Sequence, residues 1–379
     1  MGGAPRGTPG GRRPAARTAR TPEREEHPTM NALPTTRLGG TDLDITRLGF
    51  GAWALGGAGW RFAWGAQDDA DSIATVHRVV EAGVNWIDTA PVYGLGHSEE
   101  VVGKALAALP ESERPYVFTK VGLVWDPADP SAAPRKLLKP AGIRAELEDS
   151  LRRLGVERID LYQAHWPGDG ALLTFGPDED PAATARHATA LEEYWATLAE
   201  LKAEGKVRAI ALSNHDTAQL AAAEAVAHVD AIQPQFSLLH REAAPELAWA
   251  HAHGTGSIVY QPLHSGLLTG AFTAERVAAL PVDDWRRGVP EFTTGLAANL
   301  ALVDALRPIA EAHGTTVAAV ALAWTLEWPG VTGAIVGARR PEQVDGWIEA
   351  GALRLTEDDR DAIAAALTTT GAGAGPVCP

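Results

Sequence analysis

Four polar side chains that could do acid–base chemistry follow apolar stretches of the chain. Asp88 and Tyr93 stand in NWIDTAPVYG, Lys120 ends VFTK, and His165 ends IDLYQAH. Lysine and aspartate are rarely placed at the inner end of an apolar strand unless they are paired. A Lys-Asp pair beside a phenol could lower the pKa of that phenol, and the tyrosine could then give a proton to a developing alkoxide near neutral pH. His165 could donate a hydrogen bond to the same oxygen and orient a carbonyl group.

Each of these residues also has a purely structural interpretation. Asp88 could cap a helix, Lys120 could be an exposed loop lysine, His165 could be a hydrogen-bonded core histidine, and Tyr93 could be a half-buried aromatic residue. Taken singly, the structural interpretation is favoured for each of them. Taken together, four such side chains at the ends of neighbouring strands favour a catalytic group.

The elements that must position these residues alternate between strand-like and helix-like segments from Thr35 onward. A hairpin is predicted around residues 39–42 and a helix over residues 69–82, and further helices carry apolar stripes at helical spacing. Eight short apolar strands are predicted at residues 48–51, 85–88, 116–120, 159–165, 207–213, 231–235, 257–260 and 333–336. Eight strands with helices between them predict an α/β fold, a single (β/α)8 TIM barrel, whose chemistry gathers where the strands end.

A doubly wound sheet that binds a dinucleotide is the alternative fold. Gly49, Gly51 and Ala54 match its G-x-G-x-x-A pattern after a strand. The residues that follow, LGGAGWRFAWGAQ, have no helical period, and no acidic residue ends a second strand at the required distance. The barrel is therefore favoured.

Composition excludes several classes of function. The 379 residues carry 33 Lys and Arg against 48 Asp and Glu, a net charge of −15 that disfavours nucleic acid and anionic membrane partners. The one cysteine, Cys378, excludes an internal disulfide, which is typical of a cytoplasmic protein. No metal site is predicted, because His251 and His253 stand two residues apart on a predicted helix and point in different directions.

Three regions are expected along the chain. Residues 1–32 are rich in Arg, Gly and Pro and are predicted to be a disordered tail. Residues 33–368 would form the barrel, and residues 369–379 a flexible C-terminal tail. The pattern shows no long exposed apolar helix face, which favours a monomer.

The motifs around these residues resemble the aldo-keto reductase superfamily over roughly residues 38–355. The family's Asp, Tyr, Lys and His tetrad matches DTAPVYG, FTKVG and LYQAHWP, and GHSEEVVGKAL and EGKVRAIALSN are further similar segments. GARRPEQ and PLHSGLLTG resemble the bacterial and potassium-channel-beta-like branch. The resemblance implies reversible, NADPH-dependent reduction of an aldehyde or ketone to an alcohol, with Tyr93 as the general acid and base.

The resemblance also implies a cofactor site. Ser213 and Asn214 in LSNHD, with Gln233, would bind the nicotinamide carboxamide, and Tyr260 would stack on the nicotinamide ring. The further contacts expected with the cofactor are Trp53, Pro262, Leu263, Ser265, Leu267, Gly337, Arg339, Arg340 and Gln343. His264 stands where a glycine is common in the family.

The segment after the last strand departs from the family pattern. Gly337 and Ala338 stand where a Lys-Ser pair is frequent, and Gln343 stands in place of an Arg. Arg339 and Arg340 could supply the lost positive charge to a 2′-phosphate, or could be a solvated surface pair. NADPH is favoured over NADH, which stays possible.

The expected substrate pocket has aromatic walls. Trp53, Trp125 and Trp166 would line it, with Trp60 and Trp64 near the barrel mouth. Such walls suit aryl aldehydes and also stack on sugar faces. The long loop at residues 168–189 would be a lid or a disordered tip, and the disordered tip is favoured. The alternative function is a nicotinamide-sensing binding module with slow or vestigial turnover.

Overall fold

The structure is a computed structural model that describes residues 1–4, 7, 33–174, 184–281 and 284–379. A compact unit spans Ala32–Pro379 and holds everything described below. The predicted disordered tail lies almost entirely outside the described residues, and so does the centre of the loop at residues 168–189.

Twelve strands are present in the described part of the chain, and eight of them build the barrel. They are β1 (Thr35–Arg37), β2 (Asp44–Thr46), β3 (Leu48–Gly51), β4 (Trp86–Asp88), β5 (Tyr116–Val121), β6 (Leu123–Val124), β7 (Arg135–Lys136), β8 (Ile159–Ala164), β9 (Val207–Ser213), β10 (Ala231–Gln233), β11 (Gly256–Val259) and β12 (Gly333–Gly337). β1 and β2 form the predicted N-terminal hairpin, and β6 and β7 form a second antiparallel ribbon.

The barrel closes because its first and last strands pair. β3, β4, β5, β8, β9, β10, β11 and β12 follow one another around it, every pair is parallel, and β12 returns to β3. In that register Phe50 lies between Val336 of β12 and Ile87 of β4. The predicted (β/α)8 barrel is confirmed, and a doubly wound open sheet is excluded.

Helices cover the outside of the barrel. They are α1 (Asp69–Glu81), α2 (His97–Ala107), α3 (Pro140–Leu154), α4 (Leu191–Ala203), α5 (Thr217–Glu224), α6 (Ala244–His253), α7 (Ala274–Ala278), α8 (Leu296–Ala312), α9 (Val317–Glu327), α10 (Glu342–Asp345) and α11 (Glu357–Thr370). Their ends follow local chemistry: Asp68 caps α1 through the backbone N–H groups of Ala70 and Asp71, and Gly155 ends α3 in a left-handed conformation.

Two apolar layers meet at the barrel wall. The outer layer packs the helices on the strands, and Ile143, Leu147 and Leu154 of α3 are buried in it as their spacing predicts. The inner layer fills the barrel with Trp86, Phe118 and other strand residues, and the N-terminal hairpin adds Leu38, Leu43 and Ile45 from below. The indole N–H of Trp86 donates to the carbonyl of Thr46 at 2.8 Å, which ties the hairpin to the barrel.

The C-terminal residues pack against the loop that follows β10. α11 extends to Thr370, and the backbone N–H of Arg241 donates to the carbonyl of Ala374 at 2.8 Å. The buried guanidinium of Arg241 donates to the carbonyls of Ala372, Gly375 and Pro376. A flexible tail was expected from residue 369, whereas these residues are hydrogen-bonded because a buried arginine collects their carbonyl groups.

Candidate active site

Lys120 connects Asp88 and Tyr93, two of the three residues expected to act with it at the mouth of the barrel. Its ammonium group forms a buried ion pair with Asp88 and donates to the carbonyl of Thr89 at 3.0 Å. It lies 3.3 Å from the hydroxyl of Tyr93. Lys120 is 0% exposed, so these contacts replace water for its charge.

The carboxylate of Asp88 is held on both oxygens. Oδ1 accepts from Lys120, while Oδ2 accepts from the side-chain amides of Gln163 at 3.0 Å and Gln233 at 2.8 Å. Gln233 also donates to Gln163 at 2.9 Å. Sequence analysis missed Gln163, although strand alternation could have found it: Gln163 lies two residues before His165 and therefore faces the same side of β8.

The pKa of Tyr93 is shifted in the direction opposite to the one predicted. Burial and the negative charge of Asp88 raise it well above its usual value. The Lys-Asp pair was expected to lower it, but the charge of Lys120 is balanced by Asp88 and the phenolate would be desolvated. Tyr93 is therefore a neutral phenol near pH 7.

His165 is buried beside Tyr93, with the two rings edge to face and their centroids 5.8 Å apart. Burial, together with the positive charge of Lys120, lowers the pKa of His165 well below its usual value. Burial also lowers the pKa of Lys120, against the opposing effect of Asp88. The imidazole is neutral near pH 7 and can donate one hydrogen bond without adding a second positive charge.

Aromatic side chains form the wall above these groups. Trp53, Trp125 and Trp166 pack on one apolar cluster with Tyr93, and Trp60 belongs to the same cluster. The rings of Trp53 and Tyr93 stack at 6.1 Å, and the indole of Trp53 donates to the carbonyl of Phe62 at 3.1 Å.

Trp285 extends this wall, and sequence analysis did not predict it. Its ring stacks on Trp53 at 6.0 Å and meets Trp64 edge to face at 5.4 Å. The guanidinium of Arg286 covers the other aromatic neighbour, Trp64, at 5.1 Å. The segment between β11 and α8 therefore packs against these aromatic rings, a contact that local spacing could not indicate.

Ser213, Asn214 and Tyr260 lie together beside His165. The hydroxyl of Tyr260 donates to Asn214 Oδ1 at 2.7 Å, and Asn214 Nδ2 donates to the backbone carbonyl of His165 at 2.9 Å. Ser213 donates to the backbone carbonyl of Gln233 at 2.8 Å. Asn214 has a left-handed backbone with φ of 62°, which an asparagine tolerates better than most residues.

The segment after β11 makes a tight left-handed turn. His264, Ser265 and Gly266 all have positive φ, of 46°, 55° and 92°. Successive backbone N–H groups in such a turn can form a concave site for an anion. Pro262 and Leu263 precede the turn, whereas the side chain of Leu267 is fully buried in the outer core, so only its backbone could meet a ligand.

Arg339 and Arg340 follow Gly337 at the end of β12. Arg339 donates to the side chain of Gln67 at 2.9 Å and to the carbonyl of Ala66, so part of its guanidinium holds the loop before α1. Burial lowers the pKa of Arg339, and the positive charges of Arg340 and Arg286 lower it further. Arg286 is itself paired with Asp284 at 2.6 Å, so its charge is partly balanced.

The side chain of Gln343 bonds to the backbone of Arg339 and Arg340. Its side-chain oxygen accepts from the backbone N–H of Arg339 at 2.7 Å and of Arg340 at 3.2 Å. It therefore occupies two donors that an incoming anion could use.

The described residues contain no cluster of three or more His, Cys, Asp or Glu residues able to hold a metal ion. No helix in the described ranges is long and apolar enough to cross a membrane.

Comparisons with known proteins agree with this geometry. The model of the aldo/keto reductase family matches residues 47–368. Aldo-keto reductase YhdN of Bacillus subtilis (strain 168) is 33% identical over 341 residues, which cover 88% of this chain and 94% of that protein. The NADH-specific methylglyoxal reductase of Escherichia coli (strain K12) is 34% identical over 330 residues, covering 85% of this chain and 94% of that protein.

Solved structures give the same result. The glycerol dehydrogenase AKR11B4 from Gluconobacter oxydans matches with a TM-score of 0.77 at 37% identity, covering 89% of this chain and 96% of that one. The holo form of aldo-keto reductase AKR11C1 from Bacillus halodurans matches with a TM-score of 0.67 at 24% identity, covering 88% and 96%, which shows a shared fold.

The family match includes every strand that carries the candidate catalytic residues. Proteins of this family are oxidoreductases that act on carbonyl and alcohol groups and use nicotinamide cofactors. The chain belongs to the aldo/keto reductase family.

Proposed function

We propose that this chain reduces small aldehydes or ketones to alcohols with NADPH, with Tyr93 as the proton donor. The observation that carries the proposal is the contact of the neutral Tyr93 hydroxyl with Lys120 at 3.3 Å, beside a neutral His165. The bound reduced nicotinamide supplies the hydride that the carbonyl carbon accepts. The carbonyl oxygen then takes its proton from Tyr93.

Each residue of the group has a separate task. Tyr93 donates the proton through its hydroxyl oxygen, and the adjacent ammonium of Lys120 stabilises the phenolate that this leaves. Asp88 keeps Lys120 charged and in place. His165 donates a hydrogen bond to the carbonyl oxygen and orients it, because a neutral imidazole can donate without repelling Lys120.

The residues at the mouth fit a nicotinamide dinucleotide. Ser213, Asn214 and Gln233 offer amide and hydroxyl groups at the ends of β9 and β10, which suits a carboxamide, and Tyr260 offers an aromatic face beside them. The left-handed turn at Ser265 suits a pyrophosphate. Arg339 and Arg340, which follow β12, support NADPH, since guanidinium groups bind a 2′-phosphate well.

NADH is the second candidate, on one observation. Gln343 occupies the backbone N–H groups of Arg339 and Arg340, which weakens an anion site at that position. A related protein is named an NADH-specific methylglyoxal reductase. Titrating the tryptophan fluorescence with each cofactor separates the two: tighter binding of NADH would overturn the preference proposed above.

The aromatic residues near Tyr93 favour a small substrate with an apolar or aryl face. Trp53, Trp125 and Trp166 supply the walls, and Trp285 adds to them. We also propose that the protein acts as a monomer in the cytoplasm. Apart from Met1, the large hydrophobic side chains exposed among the described residues are only Val124 and Val226, too few for a stable interface.

The test of the proposed function is Tyr93→Phe. Loss of the proton donor is expected to lower kcat for a reactive aldehyde such as 4-nitrobenzaldehyde by about 10²–10⁴-fold while cofactor still binds. The measurement is steady-state turnover at saturating NADPH, with fluorescence titration of the same protein.

Tyr116→Phe is the matched control, because Tyr116 begins β5 at the opposite end of the barrel. It should keep its turnover. A Tyr93→Phe variant that binds cofactor and keeps full turnover would contradict the proposed role.

A further inference from the structure

A buried tyrosine and histidine behind the mouth lie outside the catalytic group. We propose that Tyr194 and His215 form a positioning pair that holds the Ser213–Asn214 turn in shape and so sets the affinity for the nicotinamide cofactor. This inference rests on the proposed function, since it assumes that the turn meets the cofactor. Neither residue touches the reacting groups, so both act through others.

His215 has a hydrogen-bond partner at each ring nitrogen. Nδ1 lies 2.8 Å from the backbone carbonyl of Ser213, and Nε2 lies 2.7 Å from the hydroxyl of Tyr194. Because a carbonyl oxygen can only accept, Nδ1 must carry the hydrogen. Burial lowers the pKa of His215 to about 4, so the ring is neutral near pH 7 and Nε2 accepts from Tyr194.

Tyr194 links this histidine to the loop that follows His165. It lies on α4 and is buried, and its ring packs against the backbone at Gly168. The ring packs against Gly168 so closely that a Cβ there would lie 3.3 Å from Cε1 of Tyr194. The carbonyl of Gly168 in turn accepts from the backbone N–H of Thr189 at 2.8 Å.

These contacts support the turn from two sides. On one side the turn is held by Asn214 Nδ2, which donates to the carbonyl of His165. On the other side it is held by His215, whose partner Tyr194 packs against Gly168, three residues beyond His165. Bonds of this kind favour the left-handed backbone of Asn214 over the other conformations open to an asparagine.

The chemistry of the pair determines which variants test it. His215→Asn keeps a donor near the position of Nδ1 and loses the acceptor for Tyr194, whereas His215→Leu loses both bonds. Tyr194→Phe removes only the hydroxyl. If the bond to Ser213 holds the turn, the three variants should differ in a fixed order.

We expect His215→Leu to raise the Kd and KM for NADPH about tenfold, because the buried hydrogen bond that holds the Ser213 carbonyl is lost together with the bond to Tyr194. kcat at saturating cofactor should fall less than about threefold, because Tyr93, Lys120 and Asp88 are untouched. Tyr194→Phe should raise the same Kd by about two- to fivefold, and His215→Asn should restore most of the affinity lost in His215→Leu.

Tyr162→Phe is the matched control. Tyr162 is also fully buried, and its hydroxyl donates to the carbonyl of Ile143 at 3.3 Å, in the outer helical layer and away from the turn. It should lower Tm without changing the Kd for NADPH. If His215→Leu and Tyr194→Phe lower Tm in the same way and leave Kd and KM unchanged, the positioning role is overturned.

The tautomer of His215 can be measured without cofactor. Nuclear magnetic resonance of protein with ¹⁵N-labelled histidine should show a neutral Nδ1–H ring at pH 7, and an Nε2–H or doubly protonated ring would overturn the pair. A wild-type protein that shows the Nδ1–H ring yet binds neither NADPH nor NADH would instead overturn the proposed function, and with it the effect on affinity. The two failures are therefore distinguishable.

Discussion

At the scale of single residues, the carboxylate of Asp88 organises the candidate site. It neutralises Lys120 through one oxygen and accepts from two glutamine amides through the other. A buried carboxylate with unsatisfied lone pairs would be costly, so both glutamines stabilise the ion pair and fix its direction. The position of the ammonium beside Tyr93 therefore depends on residues that never meet the substrate.

Gln163 is the residue on which this dependence can be tested. Gln163→Leu removes one donor to Asp88 and leaves Gln233, so we expect kcat to fall about three- to tenfold with an unchanged Kd for cofactor. Turnover at saturating NADPH and fluorescence titration measure the two quantities.

Gln235→Leu is the control for this variant. Gln235 is half-buried near the same mouth and donates to Gln261 at 3.0 Å, with no contact to Asp88. Equal losses of turnover in both variants would show that any glutamine of this region matters equally, contrary to the role given to Gln163.

At the scale of elements, strand positions were predictable and strand ends less so. The predicted runs at 48–51 and 207–213 match β3 and β9 residue for residue, and each begins directly after a charged residue, Arg47 or Lys206. The strand predicted to end at His165 ends at Ala164, and the one predicted to end at Gln235 ends at Gln233. In each case the strand ends at or next to a residue of the candidate site, His165 after β8 and Gln233 in β10. The apolar pattern of the sequence does not show this.

The positions of the tetrad residues were predictable because each lies at or beyond the C-terminal end of a strand, and parallel strands bring these ends to one mouth. Trp285 was not, because its contact with Trp53 depends on how the long segment after β11 folds back. The direction of the Tyr93 pKa shift also required the structure, since it is set by burial rather than by the neighbouring residue types. The sequence therefore predicts which side chains lie close together at the mouth, whereas the pKa of a buried side chain such as Tyr93 depends on how the structure packs around it.

The C-terminal segment is the element whose role differs most from expectation. A glycine-rich run is typical of a flexible tail, but its carbonyl groups surround the guanidinium of Arg241. Deleting residues 371–379 would leave that charge buried without these acceptors. We therefore expect the free energy of unfolding to fall by about 3–5 kcal/mol, measured by urea denaturation.

Two further variants make this expectation specific. Deleting only residues 377–379 removes nothing that bonds to Arg241 and should cost little. Arg241→Leu in the shortened chain removes the unpaired charge and should recover part of the lost stability. A shortened chain as stable as the full one would show that water satisfies Arg241 equally well.

At the scale of the whole molecule, the barrel separates the parts that stabilise it from the parts that do chemistry. Trp86 and Asp88 lie two residues apart on β4 and so face the same barrel interior. Trp86 packs with Phe118 and the N-terminal hairpin in the lower apolar layer, while Asp88 ends the strand at the mouth. One short strand therefore serves both purposes at its two ends.

This separation predicts opposite effects for two substitutions. Trp86→Phe leaves a cavity and removes the bond to Thr46, so the free energy of unfolding should fall by about 2–4 kcal/mol. The turnover of the folded protein should stay within about twofold, because the layer above is intact. Gln163→Leu should lose turnover with a smaller loss of stability, because Lys120 and Gln233 still bond to Asp88. Urea denaturation and steady-state kinetics on both variants measure the contrast, and a Trp86→Phe protein that loses turnover in proportion to its stability would show that the two layers are coupled through β4.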